Sequence, residues 1–261
     1  MTLDFKRNLF FDGAMGTMLQ RGFTEEEIYG QYIDAGSDIL TANTFGIFDP
    51  RAVGEAVVRA KAVAGANGGQ RMVALDIGPT GRLLEPYGDM SSEECRTIFL
   101  EVSKAGAKAG ADLILVETMM DLEEMSLAVA AAKTWGLPVI ASMTFDKNGM
   151  TSMGVNLKMM ALRLEQLEVD AMGMNCGYGP ELYMELLPQL VETTGRPIIV
   201  QPNAGLPEIV DGKPCYTMTP DAFAKSMAEM AGMVRKNMML LGGCCGTTPE
   251  HIEEMIALCR G

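Results

Sequence analysis

The chain has 261 residues, enough for one large α/β domain with a sizeable core, and 48% of them are hydrophobic against 21% charged. A formal net charge of −13, from 34 acidic and 21 basic residues, repels phosphate backbones and argues against a nucleic-acid partner. No run approaches 18 apolar residues and residues 1–8 lack a signal-peptide core, so neither a membrane span nor export is expected; in a cytoplasmic, reducing setting, six cysteines suggest metal binding or catalysis before disulfides.

Eight short apolar runs follow one another: Leu9–Asp12, Asp38–Asn43, Arg71–Gly78, Asp112–Glu117, Pro138–Thr144, Val169–Cys176, Pro197–Asn203 and Asn237–Cys244. Between them lie amphipathic stretches such as Ser91–Ala109 and Asp121–Trp135, and Pro249–Cys259 forms a last helix. Ser91 before Glu93 and Glu94, and threonine before proline at Thr219-Pro220 and Thr248-Pro249, mark helix starts. Near-continuous apolar strands alternating with helices predict a parallel sheet covered by helices, and eight such units predict a closed (β/α)8 TIM barrel. No Pro/Gly/Ser-rich linker divides the chain, so residues 1–261 read as one domain. The 23 methionines, Met227, Met230 and Met233 among them, read as an adaptable core.

Asp12, Asn43, Asp76, Glu117, Cys176, Asn203 and Cys244 all fall at or near the ends of these runs. In a barrel those ends ring the face that carries active sites. The most informative of them is Gly242-Gly243-Cys244-Cys245-Gly246-Thr247-Thr248-Pro249. An adjacent cysteine pair can be two small buried residues or a vicinal disulfide. The flanking glycines, which allow close backbone approach, and the third thiol in Asn175-Cys176-Gly177 favour a metal site. Cys176, Cys244 and Cys245 together can hold Zn2+ and leave its fourth position open, as in a catalytic site. A thiol substrate entering that position loses its proton, although a free thiol with a pKa of about 8.5 is mostly protonated at neutral pH. His251, the single histidine, lies in the last helix, which argues against a His-ligated zinc hydrolase. Cys95, Cys215 and Cys259 fall in helix or loop patterns and read as bystanders.

Taken together, Asp12-Gly13-Ala14-Met15-Gly16-Thr17, Thr41-Ala42-Asn43-Thr44-Phe45, Gly78-Pro79-Thr80-Gly81, Glu117-Thr118, Asn175-Cys176, Pro202-Asn203-Ala204-Gly205 and the double-cysteine motif resemble the homocysteine S-methyltransferase family. Within it, the likeness is strongest to the homocysteine-binding module of the cobalamin-dependent methionine synthases. The resemblance implies a zinc-bearing barrel that methylates homocysteine to methionine. It implies zinc ligation by Cys176, Cys244 and Cys245, with Asn203 filling the fourth position when substrate is absent. Asp12 and Glu117 would meet the homocysteine ammonium, the backbone of Gly13, Ala14 and Met15 its carboxylate, and Asn43 the same pocket. Multidomain members carry folate and cobalamin modules, for which 261 residues leave no room, so the expected donor is methylcobalamin on a separate corrinoid protein. The resemblance departs at the short stretch Thr44–Gln70 and at the Met-rich, basic stretch Ala231–Met239, which bear on donor or partner recognition. Alternatives are another thiol acceptor, a small donor such as S-methylmethionine or betaine, and a non-catalytic docking subunit stabilised by zinc.

Overall fold

A computed structural model describes residues 6–66, 71–210, 212–234 and 237–260. The apolar runs form β1 (Leu9–Phe10), β2 (Ile39–Thr41), β3 (Met72–Ile77), β4 (Leu113–Met119), β5 (Val139–Met143), β6 (Ala171–Asn175) and β7 (Ile198–Gln201). A small antiparallel hairpin of β8 (Glu208–Val210) and β9 (Lys213–Cys215) precedes the last barrel strand, β10 (Met239–Leu241). The eight barrel strands are all parallel and ordered β1-β10-β7-β6-β5-β4-β3-β2. A bridge from Phe11 to Ile39 joins the two edges and closes the ring into the expected TIM barrel.

Helices α1 (Gly16–Leu19), α2 (Glu25–Asp34), α3 (Pro50–Ala66), α4 (Ser92–Lys108) and α5 (Leu122–Lys133) cover the first half of the barrel. Helices α6 (Leu157–Gln166), α7 (Pro180–Thr193), α8 (Pro220–Met233) and α9 (Pro249–Arg260) cover the second. The caps read from sequence hold for α4, where the Ser91 hydroxyl accepts from the Glu94 amide at 3.1 Å, and for α8, where Thr219 accepts from Ala222 at 3.3 Å. Ahead of α9 the arrangement differs. The Thr248 hydroxyl donates to Glu250 at 2.5 Å, and the His251 Nδ1 accepts from the Thr248 amide at 3.2 Å. The bare sequence does not reveal that an imidazole can take over the capping. No helix among the described residues is long and apolar enough to cross a membrane.

Two apolar layers follow from the period of two along each strand. One face packs outward against the helices; Met227 and Met230 of α8 are buried there, whereas Met233 is exposed. The other face fills the barrel with Leu9, Phe11, Ile39, Ala74, Leu113, Leu115, Ile140, Ala171, Ile199 and Leu240. Two residues further along the strands, on the same inward face, stand Thr41, Asp76, Glu117, Ser142 and Gln201, with Asn175 four residues beyond Ala171. The barrel is therefore plugged by hydrocarbon below and lined by polar groups at its C-terminal mouth.

The strands end earlier than the apolar runs. Cys176, Asn203 and Cys244 lie in the turns just beyond β6, β7 and β10, while β4 continues past Glu117 to Met119. The hairpin is absent from the expected elements, and Cys215 lies on a strand rather than in a helix or loop. Its segment is only Lys213–Cys215, with a proline at the centre, which masks the usual strand signal. The stretches 67–70 and 235–236, which contain parts of the two departures from the family pattern, lie outside the described residues.

His251 is nearly buried, with Nε2 2.9 Å from the Met218 carbonyl, so Nε2 carries the proton and Nδ1 is the acceptor. Burial lowers its pKa, and a second proton on Nδ1 would face the Thr248 N–H. The unfolded chain therefore takes up the proton first, and the His251 contribution to stability is present above about pH 6.5 and lost as pH falls through the lower folded value. Chemical denaturation of wild type and His251→Asn at pH 7.5 and 5 should show their difference in unfolding free energy shrinking by about 1 kcal/mol at the lower pH.

Candidate active site

The mouth of the barrel encloses a pocket of about 420 Å³. The Asp12–Thr17 turn, Thr41–Asn43, Phe45, Asp76, Glu117-Thr118, Cys176, Gln201 and Gly243–Cys245 line it. Eight strands converge here because the ring is closed, so residues spread from position 12 to position 245 meet in one cavity.

The three cysteines come together. Their sulfur atoms all lie within 4.8 Å of one another. A tetrahedral zinc with Zn–S bonds of about 2.3 Å needs sulfurs about 3.8 Å apart, so the cluster fits that ion with little adjustment. Hydrogen bonds from Cys176 and Cys244 favour the thiolate at Cys245, pushing its pKa down to about 3, and the Cys244 thiol is pushed well up by its sulfur neighbours. Asn203 lies in the adjoining Pro202-Asn203-Ala204 turn, buried, with its Oδ1 lacking any hydrogen-bond partner. It does not line the pocket itself. Its turn is joined to the double-cysteine turn by backbone hydrogen bonds on either side, from Cys244 to Pro202 and from Ala204 to Cys245.

Local backbone geometry places these groups. Cys176 has φ +61°, a left-handed conformation that costs a non-glycine residue about 1 kcal/mol. It is held there by its amide donating to the Gln201 carbonyl at 2.9 Å and by its own carbonyl accepting from the buried Tyr183 hydroxyl. The Cys244-Cys245 turn is pinned to the neighbouring loops: Cys244 donates to the Pro202 carbonyl at 2.8 Å, and the Cys245 carbonyl accepts from Ala204 at 3.0 Å. Thr247 ties this turn to the Asp12–Thr17 turn, donating to the Cys244 carbonyl at 2.8 Å and accepting from the Ala14 amide at 3.0 Å. Gly13 and Gly243 are required on either side of it, since an added Cβ would come within 2.6 and 2.5 Å of the Thr247 hydroxyl.

That contact refines the expectation for the Gly13–Met15 backbone. The Ala14 amide is already used by Thr247, and the Ala14 carbonyl accepts from Tyr32 at 3.0 Å. The Gly13 and Met15 amides have no protein acceptor among the described residues and remain free for an anion. Asn43 lines the pocket, but its side chain donates to Glu25 at 3.0 Å and its amide to the Tyr29 hydroxyl at 2.9 Å.

On the other side of the pocket stand three carboxylates, Asp12, Asp76 and Glu117, and no Lys, Arg or His is among the lining residues. Asp12 accepts from the Thr41 amide and hydroxyl, both at 2.7 Å. Glu117 accepts from Asn175 at 3.1 Å. Asn175 is fully engaged: its amide also donates to Thr118, and its oxygen accepts from the Thr118 amide and the Ser142 hydroxyl. Burial raises Asp12 to about 7 against the pull of Thr41. Burial, then the charges of Asp12 and Cys245, raise Glu117 to about 8. A cavity this acidic without a basic partner is built to receive a cation. The sequence places Asp76 among the strand ends of the active face without a role, and Gln201, Ser142 and Thr41 are absent from the expected site residues. The signal was present: in six strands the last inward position is polar amid an apolar run.

The same stretch of chain is matched by comparison with known proteins. The family model of homocysteine S-methyltransferases matches residues 9–259. The chain is 32% identical to methionine synthase of Mycobacterium tuberculosis and 30% identical to that of Mycobacterium leprae, each over 97% of its own length. It spans only 24% of those two proteins. Among solved structures, the Escherichia coli homocysteine methyltransferase MmuM superposes with TM-score 0.78 in its metallated form and 0.75 in its apo form. The identities are 23% and 24%, each over 98% of this chain and 97% of MmuM, and at that level they establish the shared barrel. A match that begins at the first barrel strand and ends in the last helix takes in every strand end that builds this pocket, and the chain belongs to the homocysteine S-methyltransferase family.

Proposed function

We propose that the pocket binds homocysteine and that the chain transfers a methyl group to its sulfur, giving methionine. The observation that carries this reading is the pairing of three converging thiols with a carboxylate cluster in one cavity. A thiol for the metal and an ammonium for the carboxylates are the two ends of a short amino-acid thiol. Family membership and the likeness to proteins named methionine synthase support the same reaction.

Cys176, Cys244 and Cys245 would hold zinc, with Asn203 yielding the fourth position to the substrate sulfur. Zinc, when bound, supplies a Lewis acid that keeps that sulfur deprotonated at neutral pH, and three thiolate ligands leave it electron-rich. Asp12 and Glu117 would bind the ammonium by charge-assisted hydrogen bonds, and the Gly13 and Met15 amides the carboxylate. So oriented, the sulfur attacks the methyl carbon in line. The S–C bond forms, the bond from methyl to donor breaks with its electron pair staying on the donor, and the thiol proton leaves to solvent.

For the donor we infer a methylated corrinoid presented by a partner protein. The loops after β2, β3, β4 and β5 expose Phe45, Tyr87, Met120 and Met153, and the hairpin after β7 exposes Ile209. Such an apolar rim suits a large macrocyclic donor better than a small free cation.

Three outcomes test the reading. Zinc analysis of the purified chain should give one ion per chain, falling to near none when Cys176, Cys244 or Cys245 is replaced by alanine; stoichiometric, tightly held zinc in all three variants would overturn the assignment. Glu117→Gln should weaken homocysteine binding about tenfold, or about 1.4 kcal/mol, and leave an amine-free thiol nearly unaffected; equal losses would assign the carboxylate another task. With zinc-loaded chain, methylcobalamin should yield methionine and methyltetrahydrofolate alone should not, as measured by methionine formation. Turnover with S-methylmethionine only would move the chain to the small-donor branch.

A further inference from the structure

Of the three pocket carboxylates, Asp76 is the one without a protein donor. It occupies the inward position near the end of β3, is 6% exposed, and its Oδ1 is buried without a hydrogen-bond partner. Asp12 has Thr41 and Glu117 has Asn175. The backbone of Asp76 is clamped by Thr44, whose hydroxyl accepts from the Asp76 amide at 3.1 Å and donates to its carbonyl at 2.8 Å. The side chain is thus held toward the cavity by a fixed strand while nothing among the described residues satisfies it. The charged groups that face it are Glu117 on β4 and Asp12 beyond β1, both of its own sign.

We propose that Asp76 is a positioning residue for the substrate's amino group, held as the neutral acid so that Asp12 and Glu117 carry the negative charge that the ammonium meets. An ionised Asp76 would sit in a buried site with no donor and two like charges beside it, the costliest arrangement available to a carboxylate. As the acid it can donate its proton to a neighbouring carboxylate in the empty pocket, and Asp12 and Glu117 ionise against the ammonium once it enters. Its carbonyl-type oxygen then accepts one N–H of the ammonium. Burial, then Glu117 and Asp12, push its pKa well above the carboxylate range, in accord with that state. The resulting site has two anions and one neutral acceptor for the three hydrogens of a primary ammonium, and it disfavours a quaternary one.

The proposal rests on reading the pocket as a homocysteine site. The test is calorimetric titration of the zinc-loaded chain with homocysteine and with 4-mercaptobutyrate, which lacks the amine, for wild type, Asp76→Asn and Asp76→Ala. Asparagine keeps the shape, the neutrality and the acceptor oxygen, so Asp76→Asn should bind both thiols within about threefold of wild type. Asp76→Ala should lose about tenfold for homocysteine and less than threefold for 4-mercaptobutyrate, with zinc content unchanged. Loss in Asp76→Asn as deep as in Asp76→Ala would overturn the neutral acid. Undiminished preference for homocysteine in Asp76→Ala would remove Asp76 from the amino-group site. If wild type itself binds the two thiols equally, the amino-group reading of the pocket fails first, and that result is distinguishable because it requires no variant.

Discussion

Everything at the mouth of this barrel depends on the two-residue period of its strands. Inward positions alternate with outward ones, so a closed ring of eight strands must fill its interior in layers. Here the lower inward layer is wholly apolar, from Leu9 to Leu240. The next layer up is Thr41, Asp76, Glu117, Ser142, Asn175 and Gln201. A shift of one residue in any of these strands would exchange a polar side chain for a core one, so the hydrophobic plug sets the register of the polar floor above it.

Upon that floor the chain places groups that cannot come from strands. Both non-glycine residues with positive φ near the pocket, Thr118 and Cys176, directly follow inward polar residues, Glu117 and Asn175. At each point the backbone leaves the strand path, and side chains compensate: Thr118 is bound through both its amide and its hydroxyl to Asn175, and Cys176 lies between the Gln201 carbonyl and the Tyr183 hydroxyl. Asn175 thereby supports the Glu117 carboxylate and, through the chain, the Cys176 sulfur. Thr247 does the equivalent across the ring for the double-cysteine turn and the Asp12–Thr17 turn. The pocket's two halves are each braced by one polar side chain that bonds to two separate segments.

The electrostatics divide along the same line. The thiol cluster and the carboxylate cluster are both acidic and have no cation among the lining residues, and the overall charge of −13 adds no compensation. Such a site is destabilising when empty and gains from whatever positive charge enters. One metal ion and one ammonium would answer the two deficits separately, as the proposed function requires.

The eight apolar runs, the cap residues of α4 and α8, and the spaced cysteines were legible in the chain because they depend on local periodicity and residue chemistry. So was the role of the strand ends as a group, since a parallel barrel leaves only one face for them. The hairpin escaped notice because a proline lies at the centre of β9, and His251 because capping by an imidazole depends on how its ring turns. Asp76 and Gln201 were visible as polar residues near the ends of apolar runs, but nothing in sequence distinguishes an inward orphan from an outward, solvated one. By itself, then, the sequence determined the alternation of barrel strands and helices, the barrel and the thiol set. Only the tertiary structure decided which carboxylates share a cavity, that the Ala14 amide is already taken by Thr247, and that Asp76 and Asn203 end without partners, because those facts depend on distances between strands that adjacency along the chain does not encode.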